Sequence, residues 1–232
     1  MNFNIYVPSY NRWNDTTVFR DVEYCTYVVR KTEEEHYRRI GVENILAVPD
    51  EEINSFVKVH TWLIENAPED IICVLDDDIS RWYYRFNRKE ELRNPTTITR
   101  ELERFGQILM DLDLGLLGSP ITAVPYYRDP WKMAGTIGPI RFYNRKKLKA
   151  AYEEMPFFTD TDFVLQELLK NRVVLKPEYF VTDAKLETNK GGMNTSRHKK
   201  NQNEAFRLMK EKWGKYVQYD PKSNKTKIMV KR

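Results

Sequence analysis

The sequence predicts an α/β fold, a single domain whose mainly parallel central sheet is wound by helices on both faces. Three observations predict it. Short apolar runs alternate with helical patterns through the first 80 residues, as successive βαβ units require. The run Ile71, Ile72, Cys73, Val74, Leu75 is continuous, largely β-branched and preceded by Pro68, which suits a strand buried on both faces. Polar and acidic residues collect just past the first and fourth of these runs, where open α/β sheets place their ligands.

At 232 residues the chain can bury one substantial core. With 41% hydrophobic and 31% charged residues it has the composition of a globular protein and not of a disordered one. No apolar run approaches the roughly 18 residues of a membrane span. The opening MNFNIYVPSY lacks the basic and then apolar segments of a secretory leader, so a cytoplasmic location without a membrane partner is expected. Cys25 and Cys73 lie in apolar runs and read as buried thiols. The net charge of +4 is unevenly divided: residues 185–232 carry 14 Lys and Arg against 4 Asp and Glu, a surplus that leaves the remainder 6 negative.

Taken in order, FNIYVPSY is a strand ending in Pro-Ser and YCTYVVRK a second strand. TEEEHYRRIG is a helix, with Thr32 and Glu35 at capping-box spacing and Gly41 placed to end it. ENILAVP is the third strand, EEINSFVKVHTWLIENA an amphipathic helix with Ile53, Phe56, Val57 and Ile64 on one side, and DIICVL the fourth strand. A helix is expected over 97–113, strands in LLGSPIT and GTIGPIRFYN, and a helix in RKKLKAAYEE. TDFVLQELLKN follows as a helix with Phe163, Leu165, Leu168 and Leu169 inward, then a strand pair in RVVLKPEYFVTD broken at Pro177. The basic end is a helix in NQNEAFRLMKEKWG and a hairpin turning near Asn224 and Lys225.

Three consecutive carboxylates, Asp76, Asp77 and Asp78, repel one another unless a cation neutralises them or water screens them. Alternate residues of an extended segment face the same way, so Asp76 and Asp78 address one ligand while Asp77 turns aside. Carboxylate oxygens suit Mg²⁺ or Mn²⁺, and Mg²⁺ typically takes one or two carboxylates and completes its shell with water and substrate phosphates. A solvated turn is the other reading. In FFTDTDFVLQELL, Thr159 is placed as an N-cap with Asp162 at N3, while Asp160, beside Phe157 and Phe158, is a candidate general base whose pKa desolvation raises. Both readings hold together. His36 and His60 read as surface or packing residues, and Arg197, Lys199 and Lys200 around His198 disfavour a cation there. The phosphate-loop, dinucleotide and nucleophile-elbow glycine patterns do not occur.

In their order, IYVPSYNR, VLDDDI, FFTDTDFVLQELL and NKGGMNTSR resemble the GT-A glycosyltransferase superfamily, and more narrowly the TET/J-binding-protein-associated glycosyltransferases of bacteriophages. The resemblance covers nearly the whole chain and includes Glu35 and Tyr37 in the second strand-helix unit. It implies a nucleotide-sugar donor, a UDP-sugar by first expectation, with Mn²⁺ or Mg²⁺ on its diphosphate. It further implies transfer of a hexosyl or pentosyl group to a hydroxymethylated pyrimidine, 5-hydroxymethylcytosine in the first instance, in phage DNA. Carried over residue by residue, Asp78 and Asp76 match the metal acids, and Pro8, Ser9, Arg12, Asp76 and Asp77 the nucleotide-sugar segment. Asp160 matches the Asp of the family's Glu-Asp catalytic segment, whose Glu is replaced here by Thr159, and Gly191, Gly192 and Arg197 match a late loop over the diphosphate. Trp131, Arg128 and Asp162 are assigned to the acceptor. Residues 1–95 form the nucleotide-sugar half and 96–232 the acceptor half with its basic end.

The chemistry of the residues agrees with this resemblance. A leaving diphosphate needs neutralisation and an acceptor hydroxyl needs a base, which a metal-held cluster and a carboxylate supply. The basic end suits attraction to DNA phosphates. Aromatics near cations, among them Trp82, Tyr83, Tyr126, Tyr127 and Trp131, read equally as stacking platforms or as core. Three other readings remain: the same fold acting on a protein, glycan or lipid, a metal-dependent nuclease or nucleotidyltransferase, and a DNA-binding module whose aspartates are structural.

Overall fold

A computed structural model describes every residue except 122–128, 156, 185–198, 221–224 and 231–232. The chain opens with β1 (Phe3–Pro8), a four-residue helical turn α1 (Val18–Asp21), β2 (Thr26–Arg30), α2 (Glu34–Arg39), β3 (Ile45–Val48), α3 (Phe56–Asn66) and β4 (Ile71–Leu75). It continues with β5 (Ile79–Arg85), β6 (Lys89–Leu92), α4 (Pro95–Asp111), β7 (Leu116–Gly118), β8 (Trp131–Lys132) and β9 (Ile140–Asn144). The rest is α5 (Thr159–Lys170), β10 (Lys176–Pro177), β11 (Phe180–Ala184), α6 (Lys199–Trp213), β12 (Val217–Asp220) and β13 (Lys225–Ile228). A six-stranded sheet in the order β3-β2-β1-β4-β9-β7 forms the centre. Its first four strands are parallel; β9 adds antiparallel to β4, and the edge strand β7 pairs antiparallel with β9 and so runs in the direction of the first four.

Strand alternation divides the core into two layers. Ile5, Val7, Ile71, Cys73 and Leu75 pack on one face with Tyr37 of α2 and with Ile98, Leu102 and Phe105 of α4. Tyr6, Ile72 and Val74 pack on the other with Val59 and Leu63 of α3 and Phe163, Val164 and Leu168 of α5. All five residues of β4 are buried, so this strand has no solvent-facing side on which to carry a charge. Its first polar residues come only where it leaves the sheet. There the acidic triplet runs directly into β5, a strand not expected from the sequence, which joins β6 and β11 in a small antiparallel sheet.

Several local expectations are corrected. Thr32 does not cap α2; its hydroxyl donates to Asp50 Oδ2 at 2.6 Å, and a 3₁₀ turn over Lys31–Glu33 leads into the helix instead. Gly41 does close that helix, with φ at +93°, a conformation costly for other residues. Helix α3 starts at Phe56, later than its sequence pattern, because Ser55 caps it by accepting from Lys58 N. RKKLKAAYEE is not helical. The reason is competition for its backbone: the Glu167 carboxylate accepts from Lys149 N and Ala150 N, both at 2.9 Å, and Gln166 bonds both N and O of Ala151. Neither Thr159 nor Asp162 caps α5, whose N-cap is Phe158 in a left-handed conformation at φ 65° without a side-chain cap bond.

The basic end docks on α5 through Asp162. This carboxylate, 1% exposed, accepts from Trp213 Nε1 at 2.7 Å and Gln166 Nε2 at 2.8 Å, and pairs with Lys212 Nζ at 2.9 Å. Thr161 and Thr226 hydroxyls meet at 2.8 Å, fixing the hairpin strand β13 to the same helix. Removing the acceptor leaves the Trp213 and Gln166 donors buried without it. Asp162→Ala is therefore expected to lower unfolding free energy by about 2–3 kcal/mol in urea titration, and a loss under ~0.5 kcal/mol would show that the docking of α6 does not depend on this carboxylate.

Candidate active site

The triplet at the end of β4 meets the loop after β1. Asp77 turns inward: its Oδ2 accepts from Ser9 Oγ at 2.5 Å and its Oδ1 from Arg12 Nη1 at 2.7 Å. Ser9 Oγ also lies 2.7 Å from Tyr37 Oη, which accepts from Arg12 N at 3.3 Å, so α2 supports the loop from behind. Asn11 takes φ 55°, and its N–H is received by the buried Glu33 at 3.1 Å. Pro8 ends β1 in register with Val28. Ser9, Arg12 and Asp77 therefore form one constellation. Glu33, and not the exposed Glu35, is the carboxylate that serves this loop.

Asp76 and Asp78 lie on either side of Asp77, and different cations answer them. Asp78 Oδ2 is 3.1 Å from Arg12 Nη1, while its Oδ1 is buried with no hydrogen-bond partner among the described residues. Asp76 Oδ1 accepts from Arg141 Nη1 at 2.6 Å, and its own N–H donates to Pro139 O at 2.9 Å. The other side of the guanidinium faces Asp160, whose Oδ1 is 3.5 Å from Arg141 Nε. Asp160 thus comes to the triplet by way of Arg141, although it lies 82 positions from Asp78 in the sequence.

Electrostatics follow burial. Desolvation pushes the Asp77 carboxyl up to about 6, against the pull of Arg12 and of the Ser9 bond. Burial and then the neighbouring Asp76 charge raise Asp78, with Arg12 opposing. Burial also raises Asp160, with Arg141 opposing, which is the direction a carboxylate base needs. Burial works against the Arg141 charge, but Asp76 and Asp160 outweigh it and hold its pKa above the ordinary arginine value. With all six groups ionised, four aspartates and two guanidiniums leave two negative charges.

That residual charge and the unpartnered Asp78 Oδ1 fit one divalent cation with hard oxygen ligands. No group of three or more His, Cys, Asp and Glu side chains among the described residues converges as a metal cage. An ion that keeps water and phosphate ligands does not require such a cage.

Other sequence-assigned residues lie elsewhere. Asp162 is committed to Trp213, Lys212 and Gln166, so its carboxylate serves the docking of α6 and its assignment to an acceptor is withdrawn. Trp131 is half-buried and packs edge-on against Phe105 at 6.0 Å and Tyr179 at 5.7 Å, the contacts of an aromatic cluster under α4 and not of a stacking platform. Trp82 is 1% exposed and donates to Asp21, so it too is core. Arg128, Gly191, Gly192, Arg197, Tyr126, Tyr127 and His198 lie outside the described residues. Two shallow hollows elsewhere, one beside Tyr24 and Arg104 and one beside Lys58 and Trp62, contain none of the clustered groups. Sequence reasoning missed Arg141, though an arginine within the apolar run PIRFYN was a signal, since a charge in a buried strand requires a counter-charge.

Asp77 generates a pH signature. Its folded-state pKa of about 6 lies above the unfolded value of 3.8, so between these values the native state holds a proton that the unfolded chain has released. Its contribution to stability therefore declines as pH rises through that window and is flat above it. Relative to Asp77→Asn, the wild type is expected to lose about 2–3 kcal/mol of unfolding free energy between roughly pH 4 and pH 6.5, measured in metal-free buffer. A difference constant across that range would show that Asp77 ionises as an ordinary carboxylate.

No protein-family model matches the sequence, and no curated protein matches it. Solved structures match in fold. The 1–349 fragment of S. aureus TarS in complex with UDP-GlcNAc aligns with a TM-score of 0.54 at 15% identity, covering 90% of this chain and 65% of that one. Glucosyl-3-phosphoglycerate synthase from Mycobacterium tuberculosis, in complex with phosphoglyceric acid, aligns with a TM-score of 0.50 at 9% identity, covering 82% of this chain and 73% of that one. The chain thus spans less than two thirds of the TarS fragment. With the parallel sheet, its antiparallel edge and the acids at the end of β4, these matches place the chain in the GT-A glycosyltransferase fold.

Proposed function

We propose that the protein is a metal-dependent glycosyltransferase that moves a sugar from a nucleotide diphosphate, a UDP-sugar in the first instance, to an acceptor hydroxyl. The observation that carries the reading is the pairing, through Arg141, of the β4 acids with a half-exposed carboxylate at the start of α5. The leaving-group side and the base side of a transfer reaction would face each other across that contact. The matched fold supports it, and the S. aureus TarS fragment was solved in complex with UDP-GlcNAc.

In this reading Ser9 and Arg12, held in place by the inward-turned Asp77 and with Pro8 shaping the turn, bind the nucleotide along the end of β1. Asp78, assisted by Asp76, would hold Mn²⁺ or Mg²⁺, which when bound neutralises the diphosphate as a Lewis acid. Asp160 accepts the proton of the acceptor hydroxyl as its oxygen bonds to the anomeric carbon. The bond from that carbon to the diphosphate oxygen breaks, and its electron pair leaves with the nucleotide. Gly191, Gly192 and Arg197 are assigned to closure over the diphosphate, and Arg128 to the acceptor. Residues 1–95 would supply the donor half and 96–232 the acceptor half.

For the acceptor we propose a hydroxymethylated pyrimidine in DNA. Two features support this: the narrower resemblance to the phage enzymes, and the basic end, which docks on the helix that carries Asp160. On that end Arg207, Lys210, Lys215 and Lys227 are exposed, in reach of a phosphate backbone. A base in a duplex would have to be flipped out to reach Asp160.

Calorimetric titration with UDP is expected to show binding that depends on Mn²⁺ and weakens at least about tenfold in Asp78→Ala. Absence of binding by UDP and by every other common nucleoside diphosphate would sink the transferase reading and bring the nuclease reading forward. Asp160→Asn is expected to keep UDP affinity within about threefold while turnover of UDP-glucose or UDP-GlcNAc falls ~100-fold or more. Transfer to hydroxymethylcytosine DNA tests the acceptor. Donor hydrolysis without transfer to DNA would redirect the search to protein, glycan or lipid hydroxyls.

A further inference from the structure

Arg141 stands on β9 opposite Val74 of β4 and is 4% exposed. Burying a lone guanidinium costs several kcal/mol, so its position requires carboxylates close by. It has two, from different elements, and the contacts are unequal. With Asp76 it makes a hydrogen-bonded ion pair at 2.6 Å. With Asp160 the separation is 3.5 Å, and both Arg141 Nε and Asp160 Oδ1 are buried without a hydrogen-bond partner among the described residues.

The guanidinium is confined from behind. The Phe56 ring lies 5.4 Å from its central carbon. Tyr143 and Tyr152, close enough to interact with its charge, meet hydroxyl to hydroxyl at 2.9 Å, and Tyr143 reaches His60 Nδ1 at 3.1 Å. Tyr152 stacks on Phe163 of α5 at 4.1 Å. Burial, and then the Arg141 charge, hold His60 well below its ordinary pKa, so this wall is neutral. A cation so walled has little freedom to leave its two acids.

Resting on the transferase reading, we propose that Arg141 is a positioning residue with two effects on the acids it joins. It orients Asp160 through Oδ1, the buried oxygen that faces its Nε, and leaves the other carboxylate oxygen to receive a proton. It also competes with a bound cation for Asp76, so that Asp78, whose Oδ1 has no hydrogen-bond partner among the described residues, is the principal metal acid. The consecutive aspartates then have separate duties: Asp76 anchors Arg141, Asp77 anchors the β1 loop, and Asp78 faces the cation.

The test compares full-length wild type with Arg141→Gln, Arg141→Lys, Asp76→Asn and Asp78→Asn. Mn²⁺ binding is read from the electron paramagnetic resonance of the free ion, without nucleotide and with UDP, and folding is checked by circular dichroism. Freed of its guanidinium, Asp76 is expected to raise Mn²⁺ affinity in Arg141→Gln by about fivefold or more, with Arg141→Lys near wild type. Turnover of UDP-glucose is expected to fall roughly 100-fold in kcat in Arg141→Gln with KM within about threefold, and to recover in part in Arg141→Lys. A residue serving stability alone would not strengthen metal binding. Unchanged or weaker Mn²⁺ binding in a folded Arg141→Gln overturns the proposal, as does an unchanged kcat, or a failure of wild type and variants alike to bind Mn²⁺. Should Arg141→Gln not fold, the asparagine variants decide: a larger affinity loss in Asp78→Asn supports the proposal, and an equal or larger loss in Asp76→Asn overturns it. If wild type binds no UDP and turns over no donor, the transferase reading is what fails, and the Mn²⁺ comparison alone decides the placement of Arg141.

Discussion

Strand β4 is buried along its whole length, and the chain leaves it through three consecutive carboxylates. At close range their repulsion amounts to several kcal/mol in a partly buried setting, so cations must stand beside them or the strand end would loosen. Arg12 enters from the β1 loop and Arg141 from the neighbouring antiparallel strand. Each guanidinium spans two acids, Asp77 with Asp78 and Asp76 with Asp160. The geometry of the site follows from this requirement for counter-charge, because it draws the β1 loop, β4, β9 and the start of α5 to one point.

The arrangement is incompletely neutralised, and its residual charge lies where chemistry needs it. A purely structural cluster would be expected to balance its charges and satisfy its oxygens. Here Asp78 Oδ1 and Asp160 Oδ1 are buried without hydrogen-bond partners among the described residues, while Asp77 is saturated by Ser9 and Arg12. An open oxygen on Asp78, and on α5 a partly exposed carboxylate held at Oδ1 by Arg141, suit a cation-bound diphosphate and a proton acceptor better than they suit a cap or a turn.

The second half of the chain supports this site by unusual means. Between β9 and α5 the backbone is not regular, and its N–H groups are received by Glu167 and Gln166 of α5. The next helix and hairpin are fixed to α5 by Asp162 and Thr161. One helix therefore holds a loop, a basic appendage and the candidate base, with Gln166 and Asp162 joined to each other on one side of it. Such an arrangement ties the orientation of Asp160 to the docking of the basic end, and it explains why the polar residues of α5 are so deeply buried.

The sequence alone determined the elements whose signals are local. Alternation of apolar runs and helical periods gave the doubly wound sheet, because the two periods are fixed by backbone geometry. The acidic triplet could be placed at a strand end for the same reason. It also marked Asp160, through the apolar pair that precedes it. Competition among distant partners was decided only by the tertiary structure. RKKLKAAYEE has a helical pattern, yet side chains of α5 take its backbone donors; Thr32 has capping spacing, yet Asp50 takes its hydroxyl. Asp162 and Trp131 have the chemistry of a binding site, yet Trp213 and Phe105 occupy them. Arg141 could be placed only by knowing that β9 lies against β4, a pairing of strands whose paired residues lie some 65 to 73 positions apart in number. Which carboxylate a buried charge meets depends on which strands are neighbours, and sequence spacing does not carry that information.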